Sequence, residues 1–150
     1  MGGFDDRVIQ AVTTGIESIV QSADAALNNS NKTVTVPANK QWFVKSIYAK
    51  LISTATVGNR QLDVNITDDS DNVLLKYKAG AVQAASLTEE YVFAPSHPQE
   101  TGFTANVMLR ALGENIVLPA GYKIRIYDSA AIDAAADDLT IRILVDERSV

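Results

Sequence analysis

At 150 residues the chain is one domain's worth, long enough to bury about two thirds of its unfolded surface and to fold without staples. It has no cysteine, which excludes disulfides and thiolate metal sites, and a single histidine, which removes most imidazole chemistry. The net charge of −5 disfavours non-specific binding to nucleic acid, because neutralising phosphates takes a basic surface.

The first residues, Met1 to Asp6, lack the basic-then-apolar order of a secretory signal. Gly2 fits the start of a myristoylation motif, but Asp6 stands where Ser or Thr is needed. No apolar run approaches the ~20 residues that span a bilayer. The expectation is a soluble protein, made and used without export and without membrane contact.

Residues 4–27 carry apolar side chains at Phe4, Val8, Ile9, Val12, Ile16, Ile19, Val20, Ala23 and Leu27, a three-and-four spacing that predicts an amphipathic helix. Asp5 and Asp6 suit the positive end of its dipole, and the Asn-rich stretch 28–31 ends it. Gly15 and the Thr13-Thr14 pair weaken its middle, so it needs a partner surface. Two surfaces are open to it: its own domain, or other copies of the chain. Ile9, Val12, Ile16, Ile19, Ala23 and Ala26 fall on heptad a and d places for about two and a half repeats, and Ile at both favours trimers or tetramers. Residues 1–31 read as a helical arm and 32–150 as a separate domain.

From Lys32 the period changes to two. Thr33-Val-Thr-Val36 alternates up to Pro37. Gln41 to Ile52 is a long β-rich run with apolar residues on both faces, which needs cover on both sides or a bend between two sheets. Leu62, Val64 and Ile66 alternate with polar residues, Thr67 to Asn72 supplies a turn, and Val73, Leu75 and Tyr77 return on one face, a hairpin. Leu87, Tyr91 and Phe93 mark another strand, with Glu89 an awkward member of the same face. The proline-bearing loop Ala94 to Gly102 is expected to be exposed, and Val107, Leu109 and Ala111 form a short strand. Tyr122, Ile124 and Ile126 share one face of a strand, and Leu139, Ile141, Ile143 and Val145 one face of the last. Between these two, Ser129 to Asp137 has room for one helical turn. Eight or nine strands with turn signals every 8–15 residues predict a mainly β fold, an antiparallel two-sheet sandwich of jelly-roll type preceded by the helix.

Chemistry is sparse. His97 lies in a proline-flanked loop with no nucleophile elbow in the chain, so it reads as a solvent-exposed loop residue. Asp68, Asp69, Asp71 and Asn72 are hard oxygen ligands, but the sixth and twelfth places counted from Asp69 hold Leu74 and Gly80, which does not make a calcium loop. A hairpin turn explains them, and surface turn chemistry explains Asp133, Asp137 and Asp138 near Asp128. Glu89, Glu90 and Glu100 invite a glycosidase reading, yet adjacent strand residues point to opposite faces, so ordinary surface charge is the simpler reading. Trp42, Tyr48, Tyr77, Tyr91, Tyr122 and Tyr127 read as core or interface aromatics, with sugar stacking the alternative. The residues therefore nominate no catalytic, cofactor or metal site.

Three phrases carry a family likeness: Val36-Pro-Ala-Asn-Lys-Gln-Trp-Phe-Val-Lys-Ser-Ile47, Thr54-Ala-Thr-Val-Gly-Asn-Arg-Gln-Leu62, and Leu118-Pro-Ala-Gly-Tyr-Lys-Ile-Arg-Ile-Tyr-Asp-Ser129. Over roughly residues 33–148 the chain resembles small structural proteins of tailed bacteriophage virions, above all jelly-roll head decoration (cement) proteins. The resemblance implies a non-enzymatic virion protein that sits on the capsid lattice, often as a homotrimer, with itself and the major capsid protein or another virion protein as partners, and no nucleic acid, small molecule or cofactor is expected. It brings no catalytic residues. A neck, tail or baseplate component, or a carbohydrate-binding sandwich for host attachment with Trp42 or Tyr127 as a stacking platform, are the alternatives.

Overall fold

The computed structural model describes residues 30–150 in full and residues 16–22 as backbone. Among the described residues the elements are all strands: β1 (Ile16–Ser22), β2 (Asn31–Thr35), β3 (Lys40–Ile52), β4 (Leu62–Thr67), β5 (Val73–Lys78), β6 (Thr88–Ala94), β7 (Val107–Ala111), β8 (Val117–Leu118), β9 (Lys123–Asp128) and β10 (Asp138–Ser149). They form two sheets. The larger runs β1-β10-β3-β6-β7 with β8 attached to β3, and the smaller runs β2-β9-β4-β5. The partners are nested: β1 pairs β10, β2 pairs β9, β3 pairs β6 and β4 pairs β5, all antiparallel. One long hairpin rolled up on itself gives this order.

The period-two rows predicted from the sequence set the inner faces. Leu139, Ile141, Ile143 and Val145 on β10 and Ile47, Ala49 and Leu51 on β3 are fully buried on the inner face of the larger sheet, facing Ile124 and Ile126 of β9 and Leu62, Val64 and Ile66 of β4 across the sandwich core. Trp42, Tyr91, Phe93 and Met108 are the bulkiest apolar side chains buried in the same core. A fully buried Ile or Leu stabilises the fold by about 1.5–3 kcal/mol relative to exposure, so these rows fix the register of every strand that carries them. The long run expected at 41–52 is β3, with β10 on one side and β6 and β8 on the other.

Three expectations need correction. Over 16–22 the chain is strand β1 where the three-and-four spacing predicted helix. Ile16, Ile19 and Val20 are β-branched and stiff at χ1, which suits an extended chain, and the edge of β10 supplies the ladder partners that an extended chain needs. The rest of the predicted helix, 4–15 and 23–27, lies outside the described residues. Secondly, β7 runs parallel to β6 instead of antiparallel, because the twelve-residue connection 95–106 carries the chain back to the start of β6. Thirdly, a bulge in β4–β5 sets Leu75 opposite Ile66 but Val73 opposite Thr67, so Val73 leaves the face it was expected to share with Leu75 and Tyr77.

Candidate functional site

Three connections of equal length gather at one end of the sandwich: 53–61 between β3 and β4, 79–87 between β5 and β6, and 129–137 between β9 and β10. They are rich in Ala, Ser and Thr, too short in side chain to build a core of their own. A buried polar network holds them.

At its centre Arg60 and Asp137, both fully buried, form a two-pronged ion pair: Nε to Oδ2 at 2.7 Å and Nη2 to Oδ1 at 3.1 Å. The fork geometry of guanidinium and carboxylate makes this the strong form of the bond. Arg60 Nη1 donates to the carbonyls of Thr56 (2.8 Å) and Gly58 (2.7 Å), and Nη2 to Thr54 Oγ1 (3.2 Å). Asp137 Oδ1 accepts the Thr54 amide at 2.8 Å. Thr54 and Thr56 hydroxyls donate to Asp133 Oδ2 at 2.6 and 2.8 Å. The bond to Asp137 raises the Arg60 pKa, and the two threonine bonds hold the Asp133 carboxyl below its ordinary value. The 53–61 loop is thus wrapped around one cation, and 129–137 supplies the anions.

The third connection joins through Gln83, also fully buried. Its backbone exchanges hydrogen bonds with Arg60 at 2.8 and 2.9 Å. Its Nε2 donates to the Leu51 and Leu87 carbonyls, both at 2.9 Å, and its Oε1 accepts the Tyr91 hydroxyl at 2.9 Å. Burial pushes the Tyr91 phenol up, so it remains a donor. Ser53 Oγ donates to the Ala84 carbonyl at 2.7 Å and accepts the Leu87 amide at 3.0 Å. Asp128 caps the turn that opens 129–137, accepting the amides of Gln61 and Ala130. Within that connection Asp137 N and Ala136 N donate to the Asp133 carbonyl, the single turn for which the sequence left room. Arg60 and Gln83 carry no local signal in the sequence, because Arg60 and Asp137 are 77 residues apart.

The acidic turn is a plain hairpin turn: Asp68 Oδ1 accepts the amides of Ser70 and Asn72 at 2.9 Å, and Asp71 sits at φ 65° and bonds Lys123 Nζ. The side-chain bond from Asn72, with these amides, lowers the Asp68 pKa. His97, expected in solvent, is half-buried with no partner for Nδ1. Glu89, Glu90 and Glu100 each have a separate setting. Glu90 accepts the Tyr48 hydroxyl at 2.8 Å, Glu100 the Leu109 amide at 2.7 Å, and Glu89 is buried in the inner row of β6, where burial raises its pKa. As a stacking platform Trp42 is ruled out: it is 1% exposed, its Nε1 bonded to Glu147. Tyr127 is half-buried beneath the Arg125 guanidinium, 4.0 Å from its ring. Of the helix-face residues, Ile16 and Ile19 sit on β1 opposite Arg148 and Val145, so a helical face does not run through them. Ile9, Val12 and Ala23 lie outside the described residues.

No family model matches this chain, and no curated protein does. Among solved structures, dimeric latent PorU from Porphyromonas gingivalis aligns with 90% of this chain and 13% of its own at 6% identity and a TM-score of 0.45. The infectious bursal disease virus Gx strain aligns with 90% of this chain and 37% of its own at 9% identity and a TM-score of 0.35. Turnip yellow mosaic virus aligns with 89% of this chain and 80% of its own at 8% identity and a TM-score of 0.36. The chain therefore spans a small part of the first two, and likenesses at this level bear on neither activity nor partner.

Proposed function

We propose that this chain is a non-enzymatic structural protein of a virion, a capsid decoration (cement) protein that binds the outside of the shell and stiffens it. The observation that carries the reading is the Arg60–Asp137 pair, which lies beneath three loops instead of beside a cleft. Burying an ion pair is costly, and here its bonds serve to fix loop shape. A binding surface held rigid before contact loses little freedom when it binds. Two further features support it: the nested winding, which is that of a jelly roll, and the phage-like phrases at 36–47, 54–62 and 118–129.

Many modest contacts repeated over a symmetric lattice add up to strong attachment, so such a protein needs no large single interface. The partner is the major capsid protein. A trimer built on the predicted helix face is left out, since Ile16 and Ile19 are strand residues. Mixing the purified chain with shells of the producing particle stripped of it tests the proposal. Saturable binding that raises the shell's heat resistance is the expected result. Binding at a few sites at one vertex would make it a neck or tail part instead, and no binding would remove the virion role.

A further inference from the structure

The smaller sheet ends at β5 and the larger at β7, and the two strands flank one side of the sandwich. Their edges are not alike. Glu100 closes that of β7, its Oε2 accepting the Leu109 amide at 2.7 Å and its own amide donating to the Leu109 carbonyl at 3.1 Å. Among the described residues nothing pairs with the outer edge of β5. The Ala79 amide donates to the Leu62 carbonyl at 2.9 Å. By antiparallel alternation Tyr77 and Leu75 then bond β4, while Lys76 and Lys78 turn their amides and carbonyls outward. Val73, Leu74 and Leu75 are 54, 51 and 40% exposed, so the strand leaves apolar as well as backbone surface open. Beside it lies a groove of about 180 Å³, lined by β5 on one side and by Phe93, Gln99 and Arg110 on the other.

We infer that β5 is a docking edge that takes an extended segment of a partner protein as a fifth strand of the smaller sheet, a segment with acidic residues two places apart. Backbone chemistry decides the form of the occupant, because amides and carbonyls turned outward at alternate residues are matched by another strand. Charge at the pairing positions decides its side chains. A hydrogen-bonded antiparallel pair joins residues that both turn their backbone groups to the seam. The β5 of a second copy offers Lys76 and Lys78 there, and lysine directly opposite lysine repels, whereas Asp or Glu in those two places attracts. The acids nearby do not reverse this. Asp63 is buried 3.4 Å from Lys76 Nζ, yet the Lys76 side chain stays 54% exposed, and the Glu100 carboxylate is held by Leu109. Asp69 and Asp71 precede the other end of β5, with Asp71 on Lys123, so the acidic match is confined to the Lys76–Lys78 end. This edge is separate from the loops that Arg60 holds, so the inference and shell binding can fail independently.

Two end-blocked peptides, Thr-Glu-Val-Glu-Thr and Thr-Lys-Val-Lys-Thr, test it on the isolated chain. The glutamate peptide is expected to bind saturably, and the lysine peptide at least about tenfold more weakly. In hydrogen–deuterium exchange the amides of Lys76 and Lys78 are expected to slow on binding, while those of Leu75 and Tyr77 are slow throughout. Lys76→Pro removes an outward donor and spares the β4 ladder, so it is expected to abolish peptide binding with little change in thermal midpoint. Lys78→Glu is expected to narrow or reverse the preference between the peptides. No binding of the glutamate peptide, equal binding of both, or protection that arises away from Lys76 and Lys78 would overturn the inference. So would a folded Lys76→Pro that still binds. Should Lys76→Pro fail to fold, Lys78→Glu decides, and an unchanged preference there counts against the edge.

Discussion

Arg60 is the residue on which the loop end depends. Replacing it with Met leaves Asp137 buried, charged and without its partner, and frees the Thr56 and Gly58 carbonyls that its Nη1 holds. The expected loss is about 3–5 kcal/mol in a denaturant titration. The double variant Arg60→Met/Asp137→Leu is expected to lose clearly less than the sum of the two single ones, because the orphaned charge is gone. Additive losses would mean that the two side chains act independently. Glu89 gives the opposite sign. Burial raises its pKa, so the folded chain holds that proton more tightly than the unfolded one. Stability contributed this way is present at acid pH and is lost as pH rises through the raised value. Glu89→Gln is therefore expected to stabilise the chain by about 1 kcal/mol at pH 7, a rise of roughly 2–4 °C in thermal midpoint. The gain disappears below the ordinary Glu range. Sequence alternation had already set Glu89 on the face of Tyr91 and Phe93, and the buried row of β6 is where it lies. Arg60 was not legible in that way, since a lone Arg after Val-Gly-Asn looks like a surface turn until the fold brings Asp137 to it.

At the scale of elements, what could be read depended on whether the signal was local. The β4–β5 hairpin was legible because alternation and turn chemistry lie within one short stretch, and the Asp68 bonds show the turn working as its residues suggest. Asp68→Ala is expected to destabilise the turn and to speed amide exchange in β5 more than in β3. The bulge that turns Val73 outward was not legible, because a one-residue slip leaves composition and spacing unchanged. β1 failed for a different reason. Ile16, Ile19 and Val20 satisfy a helical period, and nothing nearby in sequence reports that the β10 edge needs a partner. In hydrogen–deuterium exchange, amides of Ile16–Ser22 are expected to be protected, and Ile19→Pro to release them together with the facing amides of β10, where proline removes a ladder donor. Protection at 16–22 that survives Ile19→Pro unchanged would argue against the pairing.

For the molecule as a whole, the two-sheet architecture was readable from eight or nine alternating runs and their turn spacing, whereas the order of the strands was not. Nesting of β1 with β10 and β2 with β9 joins segments from opposite ends of the chain, and period-two patterning says nothing about such partners. The buried network was equally hidden, since the connections 53–61, 79–87 and 129–137 come together only once the strands are wound. The proposed role is that of a rigid body that works through contacts with a shell. Its most direct test is the number of copies of this chain in purified particles of the source, measured by quantitative mass spectrometry against the shell protein. The account predicts a fixed ratio on the scale of the shell lattice itself; absence of the chain from the particles would contradict it.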